Sequence, residues 1–82
     1  MHDEFNDVKA KADIKYGLGR SYLGLNNLVK AEANINESVM LYASSDYDTG
    51  LEKAYRTLYE ISKNKDDVAE SLKYLELTEK NY

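Results

Sequence analysis

The sequence predicts an all-α protein made of two similar helix hairpins, and three observations lead to this prediction. Apolar residues recur at spacings of three and four in four segments, as they do on one face of an amphipathic helix. No segment of useful length alternates apolar and polar residues with the period of two that a half-buried strand requires. The pattern also repeats at an offset of 40 residues, so the second half of the chain is expected to fold like the first.

The first hairpin is predicted from two helices, which run from about Phe5 to Leu25 and from about Leu28 to Ala43. Asn26-Asn27 interrupts the first apolar face and is expected to cap the second helix, because a short Asn side chain accepts a hydrogen bond from a helical N–H group. The expected apolar face of the first helix consists of Phe5, Val8, Ala12, Ile14, Leu18, Tyr22 and Leu25. That of the second helix consists of Leu28, Ala31, Ile35, Val39 and Tyr42.

The second hairpin is predicted to follow a loop at Ser44–Gly50. Thr49 and Glu52 fit a capping box that opens a third helix, which reaches about Asn64, and Asp67 with Glu70 caps a fourth helix. The expected apolar faces are Leu51, Ala54, Leu58 and Ile61 in the third helix and Val68, Leu72, Leu75 and Leu77 in the fourth. The chain is thereby divided into a lead-in at 1–10 that starts the first helix, a hairpin at 11–44, a loop at 45–50 and a hairpin at 51–82.

The 40-residue offset matches apolar, small and capping residues together, whereas two unrelated amphipathic helices would share only the apolar class. Asn26-Asn27 falls on Asp66-Asp67, so the turn chemistry recurs with the apolar pattern. The other matches are Ile14 with Ala54, Leu18 with Leu58, Leu28 with Val68, Ala31 with Ser71, Ile35 with Leu75, Ser38 with Thr78 and Tyr42 with Tyr82. A true repeat is the favoured interpretation, and a coincidence of helical periods is the alternative.

Residues 11–82 resemble the tetratricopeptide repeat (TPR) family. Leu18-Gly19-Arg20-Ser21-Tyr22, followed by Ala31 and Ile35, is similar to the family pattern, in which small residues let two helices approach closely. The second unit departs from it, since Tyr59 stands at the small position and Ser62 at the Tyr position, and both units lack the family's Trp and closing Pro. The repeat length of 40 exceeds the usual length of about 34, and a longer second helix plus the Ser44–Gly50 loop would account for the excess.

The resemblance implies two stacked antiparallel hairpins of a right-handed α-solenoid, which binds a peptide or protein partner in a concave groove. It places the groove residues on the first helix of each unit: Asp13, Tyr16, Arg20, Leu23, Lys53, Arg56, Glu60 and Lys63. Both Arg residues of the chain are among them, and Arg would hold carboxylates of a partner. The alternative interpretation is a solvated helix face. Repeats of this long type resemble those of bacterial signalling proteins, so a fragment of such a signalling or scaffold protein is expected.

The composition argues against catalysis, cofactors and nucleic acid. The 11 basic and 15 acidic residues give a net charge of −4, whereas binding to duplexes needs a large basic footprint. The chain has no Cys and its one His is His2, so neither a multi-His metal site nor a catalytic triad is expected. Gly17-Leu18-Gly19 followed by Gly24 resembles a phosphate loop, and Asp46–Gly50 resembles a calcium loop, but neither spacing fits. We interpret them as helix-packing glycines and a turn with a helix cap, and we expect no enzyme activity.

Two repeats are few for a solenoid, which usually needs three or more. Leu72, Leu75 and Leu77 are expected to lie uncovered on the last helix, so a homodimer or a fragment of a longer array is predicted. The alternative class is a dimeric helical bundle with a structural or regulatory role and no groove ligand. The longest apolar run, Val39–Ala43, is far too short to span a membrane, so no membrane contact is expected. A cytoplasmic location is favoured, with a periplasmic sensor region as the alternative.

Overall fold

The computed structural model describes the backbone of residues 4–80 and the side chains of residues 7–78. Within that part of the chain it contains four α-helices and no strand: α1 (Glu4–Gly24), α2 (Leu28–Ser44), α3 (Asp48–Asn64) and α4 (Val68–Lys80). The predicted all-α class is therefore confirmed. The expectations placed on His2 and on the side chains of Phe5 and Tyr82 lie outside the described residues.

Three turns of the same form connect the helices. The middle residue of each turn has a positive φ, which is 60° at Asn26, 57° at Asp46 and 58° at Asp66. Asn and Asp are the non-glycine residues that adopt this left-handed conformation most readily, because their short side chains bond locally. The three residues lie 20 positions apart. The predicted 40-residue repeat therefore contains two helix-and-turn units of equal length.

The loop predicted at Ser44–Gly50 is shorter than expected, because α3 already begins at Asp48. The predicted capping box is wrong: Tyr47 is the N-cap residue of α3, and its side chain makes no capping hydrogen bond. Its ring packs instead against the ring of Tyr42, with 5.7 Å between centroids. The predicted repeat is longer than the usual TPR repeat, but the extra residues do not form a loop. α2 and α3 have 17 residues each, and only a short turn separates them.

The two other predicted caps are present. The side chain of Asn27 accepts a hydrogen bond of 3.3 Å from the backbone N–H of Lys30 at the start of α2. Asp67 Oδ1 accepts one of 3.0 Å from the backbone N–H of Glu70 at the start of α4. This bond stabilises the carboxylate and lowers the pKa of Asp67. Caps of this kind stabilise a helix because they satisfy backbone N–H groups that have no partner within it.

The helices pack in chain order. α1 contacts α2 and α3, α2 contacts α3, and α3 contacts α4. Over the described residues, α4 approaches neither α1 nor α2. The result is a slab with principal extents of 46 × 29 × 13 Å. Within a single chain the four helices therefore do not close around one common core.

All four helices contribute residues to the core. Its buried apolar residues are Ala12, Ala31, Ile35, Tyr42, Ala54, Leu58, Ile61 and Tyr74. Three hydroxyl residues are buried with them, and each donates to a carbonyl of its own helix: Ser38 to Ile35, Thr57 to Lys53 and Ser62 to Tyr59. These small side chains let neighbouring helices approach without leaving a buried polar group unsatisfied.

The apolar face predicted for α1 is only partly correct. Ala12 is buried, but Ile14, Leu18 and Leu25 are exposed. The helix instead turns Gly19 inward, where a Cβ would overlap the side chain of Ile35 and lie 3.2 Å from the carbonyl oxygen of Ala31. Gly19 is therefore a helix-packing glycine as predicted.

The other expectations about packing have mixed outcomes. Gly17 and Gly24 are not packing glycines, because a Cβ at either position would meet nothing within 4 Å. On α4, Leu72 and Leu75 are exposed as expected, together with Val68. Leu77 is instead partly buried against the core, so its expected exposure is wrong.

Candidate functional site

Several predicted groove residues meet where α1 runs beside α3. Arg20 Nη1 lies 3.3 Å from Glu60 Oε2, and Lys53 Nζ lies 5.0 Å from the centroid of the Tyr16 ring. Positions 20 and 60 are one repeat length apart, so the two units place equivalent parts of their first helices side by side. We call Asp13, Tyr16, Arg20, Lys53 and Glu60 the α1–α3 surface.

Asp13 on this surface is positioned by the second helix. The hydroxyl of Tyr42 donates a hydrogen bond to Asp13 Oδ1, and Lys9 Nζ lies 3.3 Å from Asp13 Oδ2. The bond from Tyr42 lowers the pKa of Asp13 against the opposing effect of partial burial, and Lys9 adds to the lowering. Burial and the bond to Asp13 raise the pKa of Tyr42. The surface therefore presents a carboxylate at neutral pH, held by a neutral donor.

The remaining predicted groove residues lie elsewhere. Arg56 and Lys63 line a depression between α3 and α4, while Leu23 is partly buried against the core. Arg56 Nη2 lies 2.8 Å from Glu52 Oε1, and Lys63 Nζ lies 5.3 Å from the centroid of the Tyr59 ring. The eight predicted residues are thus divided between two surfaces and the core. Both arginines already have carboxylate neighbours within the chain.

The depression between α3 and α4 is the second candidate surface, which we call the α3–α4 groove. It consists of two adjoining hollows of about 310 Å³ each, which share Tyr59 and Leu75. It is lined by Arg56, Tyr59, Glu60, Lys63, Asp66, Val68, Ser71, Leu72, Leu75 and Thr78. Leu72 and Leu75 were expected to be uncovered, but only the packed hairpin shows that charged residues of α3 border them. Apolar residues edged by charges are typical of protein-binding surfaces.

Among the described residues, no three His, Asp or Glu side chains are grouped so that they would hold a metal ion. In the same part of the chain, no helix has the length and hydropathy needed to cross a membrane.

Comparison with known proteins identified no relative: no protein-family description, no curated protein and no solved structure matches the chain significantly.

Proposed function

We propose that this protein is a non-catalytic protein-interaction module of two stacked TPR-like hairpins, and that its α1–α3 surface binds a peptide or a segment of a partner protein. The observation that carries the proposal is the packing of α1 beside α3, which brings Arg20 against Glu60. In an α-solenoid the first helices of successive units line the same face in this way.

The packing of the helices supports the solenoid arrangement. α3 lies against both α1 and α2, whereas α4 contacts α3 alone among the described helices. Quasi-linear contact between neighbours is the property that separates a solenoid from a closed bundle. The close approach at Gly19, which matches the small position of the TPR pattern, supports the same arrangement. A role in a larger bacterial signalling or scaffold protein, located in the cytoplasm, is part of this proposal.

The two cations of the α1–α3 surface, which lie beside its own carboxylates Asp13 and Glu60, are the groups that an acidic partner segment would bind. Arg20 and Lys53 are its cations, and Tyr16 provides an aromatic ring beside them. The Arg20–Glu60 pair is about half exposed on both sides, and such surface pairs contribute only about 0–1 kcal/mol. A carboxylate of a partner would therefore replace Glu60 at Arg20 at little cost and would gain two parallel N–H donors.

Binding of acidic peptides to single variants tests this function. We expect an array of peptides with acidic residues or a free C-terminal carboxylate to contain ligands, measured individually by fluorescence anisotropy. Arg20→Ala should weaken them about tenfold, the equivalent of about 1.4 kcal/mol, and the double variant Arg20→Ala/Arg56→Ala should bind no more weakly than Arg20→Ala alone. Neither should change the melting temperature appreciably, because the salt bridges of both residues are exposed.

Arg56→Ala alone is the matched control, since Arg56 lies on the α3–α4 groove and not on the α1–α3 surface. It should leave peptide affinity unchanged. Equal losses in the two single variants, or an array without any ligand, would contradict the proposed site.

A second candidate function is a structural helical protein that self-associates, for example as a homodimer or dimeric bundle, and has no groove ligand. Exposed apolar residues on its outer helices favour it: Ile14 and Leu18 on α1, and Leu72 and Leu75 on α4. This alternative predicts association without any binding of acidic peptides.

A further inference from the structure

Three side-chain contacts attach α3 and the turn after it to the first hairpin. Arg20 pairs with Glu60 at 3.3 Å, and the Tyr16 ring receives Lys53 at 5.0 Å. Lys65 Nζ lies 2.7 Å from Glu32 Oε2 on α2. Together with the buried side chains of Ala54 and Leu58, these contacts define how a helix sits against a hairpin in this protein.

The α3–α4 groove lies on the second hairpin at the position equivalent to the surface of the first hairpin that contacts α3. Adding 40 to Tyr16, Arg20 and Glu32 leads to Arg56, Glu60 and Leu72, and all three of these line the groove. In the first hairpin the equivalent positions contact α3 or the turn after it. In the second hairpin Leu72 is 59% exposed, and Val68 and Leu75 are exposed beside it.

The helix that would fit this groove has its own counterpart in the chain, which is α1. Subtracting 40 from Ala54 and Leu58, the buried residues of α3, leads to Ile14 and Leu18, which are exposed. Subtracting 40 from Lys53, Glu60 and Lys65 leads to Asp13, Arg20 and Leu25. Leu25 is 76% exposed. The outer face of α1 thus carries apolar residues at positions equivalent to those through which α3 and the turn after it pack against the first hairpin.

We propose that the α3–α4 groove binds α1 of a second copy of this chain, head to tail, in the register that α3 uses against the first hairpin. That register places Arg56 opposite Asp13 of the second copy, Glu60 opposite its Arg20 and Leu72 opposite its Leu25. All three pairs are complementary, two by charge and one by apolar contact. The third pair is informative, because the equivalent pair inside the chain is Glu32 with Lys65. Both members are charged inside the chain and both are apolar at the proposed junction.

This interface joins two different surfaces of the molecule, so it is heterologous and leaves one of each surface open at the ends of any stack. Successive copies would therefore add in line, as the hairpins of one chain do. A two-fold dimer, in contrast, would bury the same surface on both copies and stop at two. The proposal goes beyond peptide binding at the α1–α3 surface and does not depend on it.

Sedimentation of charge variants over a range of concentrations tests the register. We expect the mean mass of the wild type to rise with concentration past that of two copies. Leu72→Glu and Leu25→Lys should each weaken association at least tenfold. The double variant Leu25→Lys/Leu72→Glu should recover most of it, because it rebuilds the Glu32–Lys65 pair of the chain interior at the junction. Each substitution also introduces the residue that the other repeat carries at that position, so folding should be retained, and circular dichroism checks this.

Met40→Glu is the matched control. Met40 is 72% exposed on α2 and belongs to neither surface, so this variant should associate like the wild type. A second measurement uses Leu72→Glu as a terminator, since it keeps an intact α1 face but has a blocked groove. Added to the wild type in a small proportion, it should lower the mean mass, whereas added Met40→Glu should not.

Four results would overturn the proposal. The first is a wild type that remains monomeric at about 1 mM, the dissociation constant of a very weak interface. The second is a dimer that Leu72→Glu does not affect. The third is an equal effect of Met40→Glu, and the fourth is a double variant that associates as weakly as the two single variants. The peptide measurement should be repeated with the Leu72→Glu variant, in which the α1–α3 surface is unchanged. Peptide binding by this variant tests the proposed function independently of self-association.

Discussion

At the scale of single residues, Tyr42 links the buried core to the charged surface of α1. Its ring is fully buried, and a Cβ at Gly50 of α3 would overlap it. Its hydroxyl reaches the carboxylate of Asp13, so one side chain contacts α1 and α3 from its place on α2. Burying a phenol is favourable only when its hydroxyl finds a partner, and Asp13 supplies that partner.

Tyr42→Phe should therefore lower the free energy of unfolding by about 1 kcal/mol at neutral pH. The pKa of Asp13 is lower in the folded protein than in the unfolded chain, so its contribution is complete above the ordinary carboxyl pKa and is lost as pH falls through the folded value. The difference between wild type and Tyr42→Phe should shrink as the pH falls below the ordinary carboxyl pKa, measured by urea unfolding. Tyr22→Phe, which leaves Asp13 untouched, is the control; a difference that does not vary with pH would disprove the linkage.

At the scale of helices, close approach of α1 and α2 depends on one missing side chain. Gly19 faces the fully buried Ile35, whereas Gly17, two residues earlier on the same helix, faces open space. The two glycines thus have the same cost in helix propensity but opposite roles in packing. This contrast makes them a matched pair within one helix.

Gly17→Ala should raise the free energy of unfolding by up to about 1 kcal/mol, because Ala restricts the unfolded chain and favours a helix. Gly19→Ala gains the same propensity but forces Ile35 to move, and overpacking of this kind costs about 1–3 kcal/mol. We expect a net loss of about 1 kcal/mol, since overpacking and propensity act in opposite directions. Chemical denaturation of both variants measures this, and equal stabilisation by the two substitutions would show that α1 and α2 are not in close contact at Gly19.

At the scale of the whole molecule, stability is expected to be uneven along the slab. α2 and α3 each have a helix on either side, while α4 packs on α3 alone within the described chain. In arrays of this kind, stability is approximately a sum over neighbouring interfaces. The helix with one neighbour and an exposed apolar edge should open most readily.

Native-state hydrogen exchange should therefore show lower protection in α4 than in α2 and α3. The measurement is best made on the Leu72→Glu variant at low concentration, so that association does not protect α4. Protection that is equal in all helices would indicate a single cooperative unit. Raising the concentration of the wild type should increase protection in α4 and α1 together if the head-to-tail contact forms.

The features that sequence reasoning predicted well depend on neighbours a few residues away. Asn27 and Asp67 cap α2 and α4 because their side chains reach N–H groups three residues ahead. The same reasoning failed at the middle turn, where Thr49 is the better capping residue but Tyr47 takes the position. At this N-cap position the Tyr47 ring contacts the ring of Tyr42, five positions earlier on α2.

The candidate site was predictable in the same limited sense. Equivalent positions of the two units were expected on one face, and the structure does bring Arg20 beside Glu60. A helix face alone did not reveal that Arg56 and Lys63 would border a different groove, since this depends on where α4 packs.

By itself, the sequence determined the all-helical class and two of the three caps, because these follow from local bonding and periodicity. Only the tertiary structure decided which face of α1 is buried. Two stripes of that helix compete, one with Ile14 and Leu18 and one with Gly19, and the apolar pattern favours the first. The second faces inward because only there can α2 approach to packing distance, with Ile35 over Gly19. The larger apolar residues are consequently left on the outside, where a second copy would bind them.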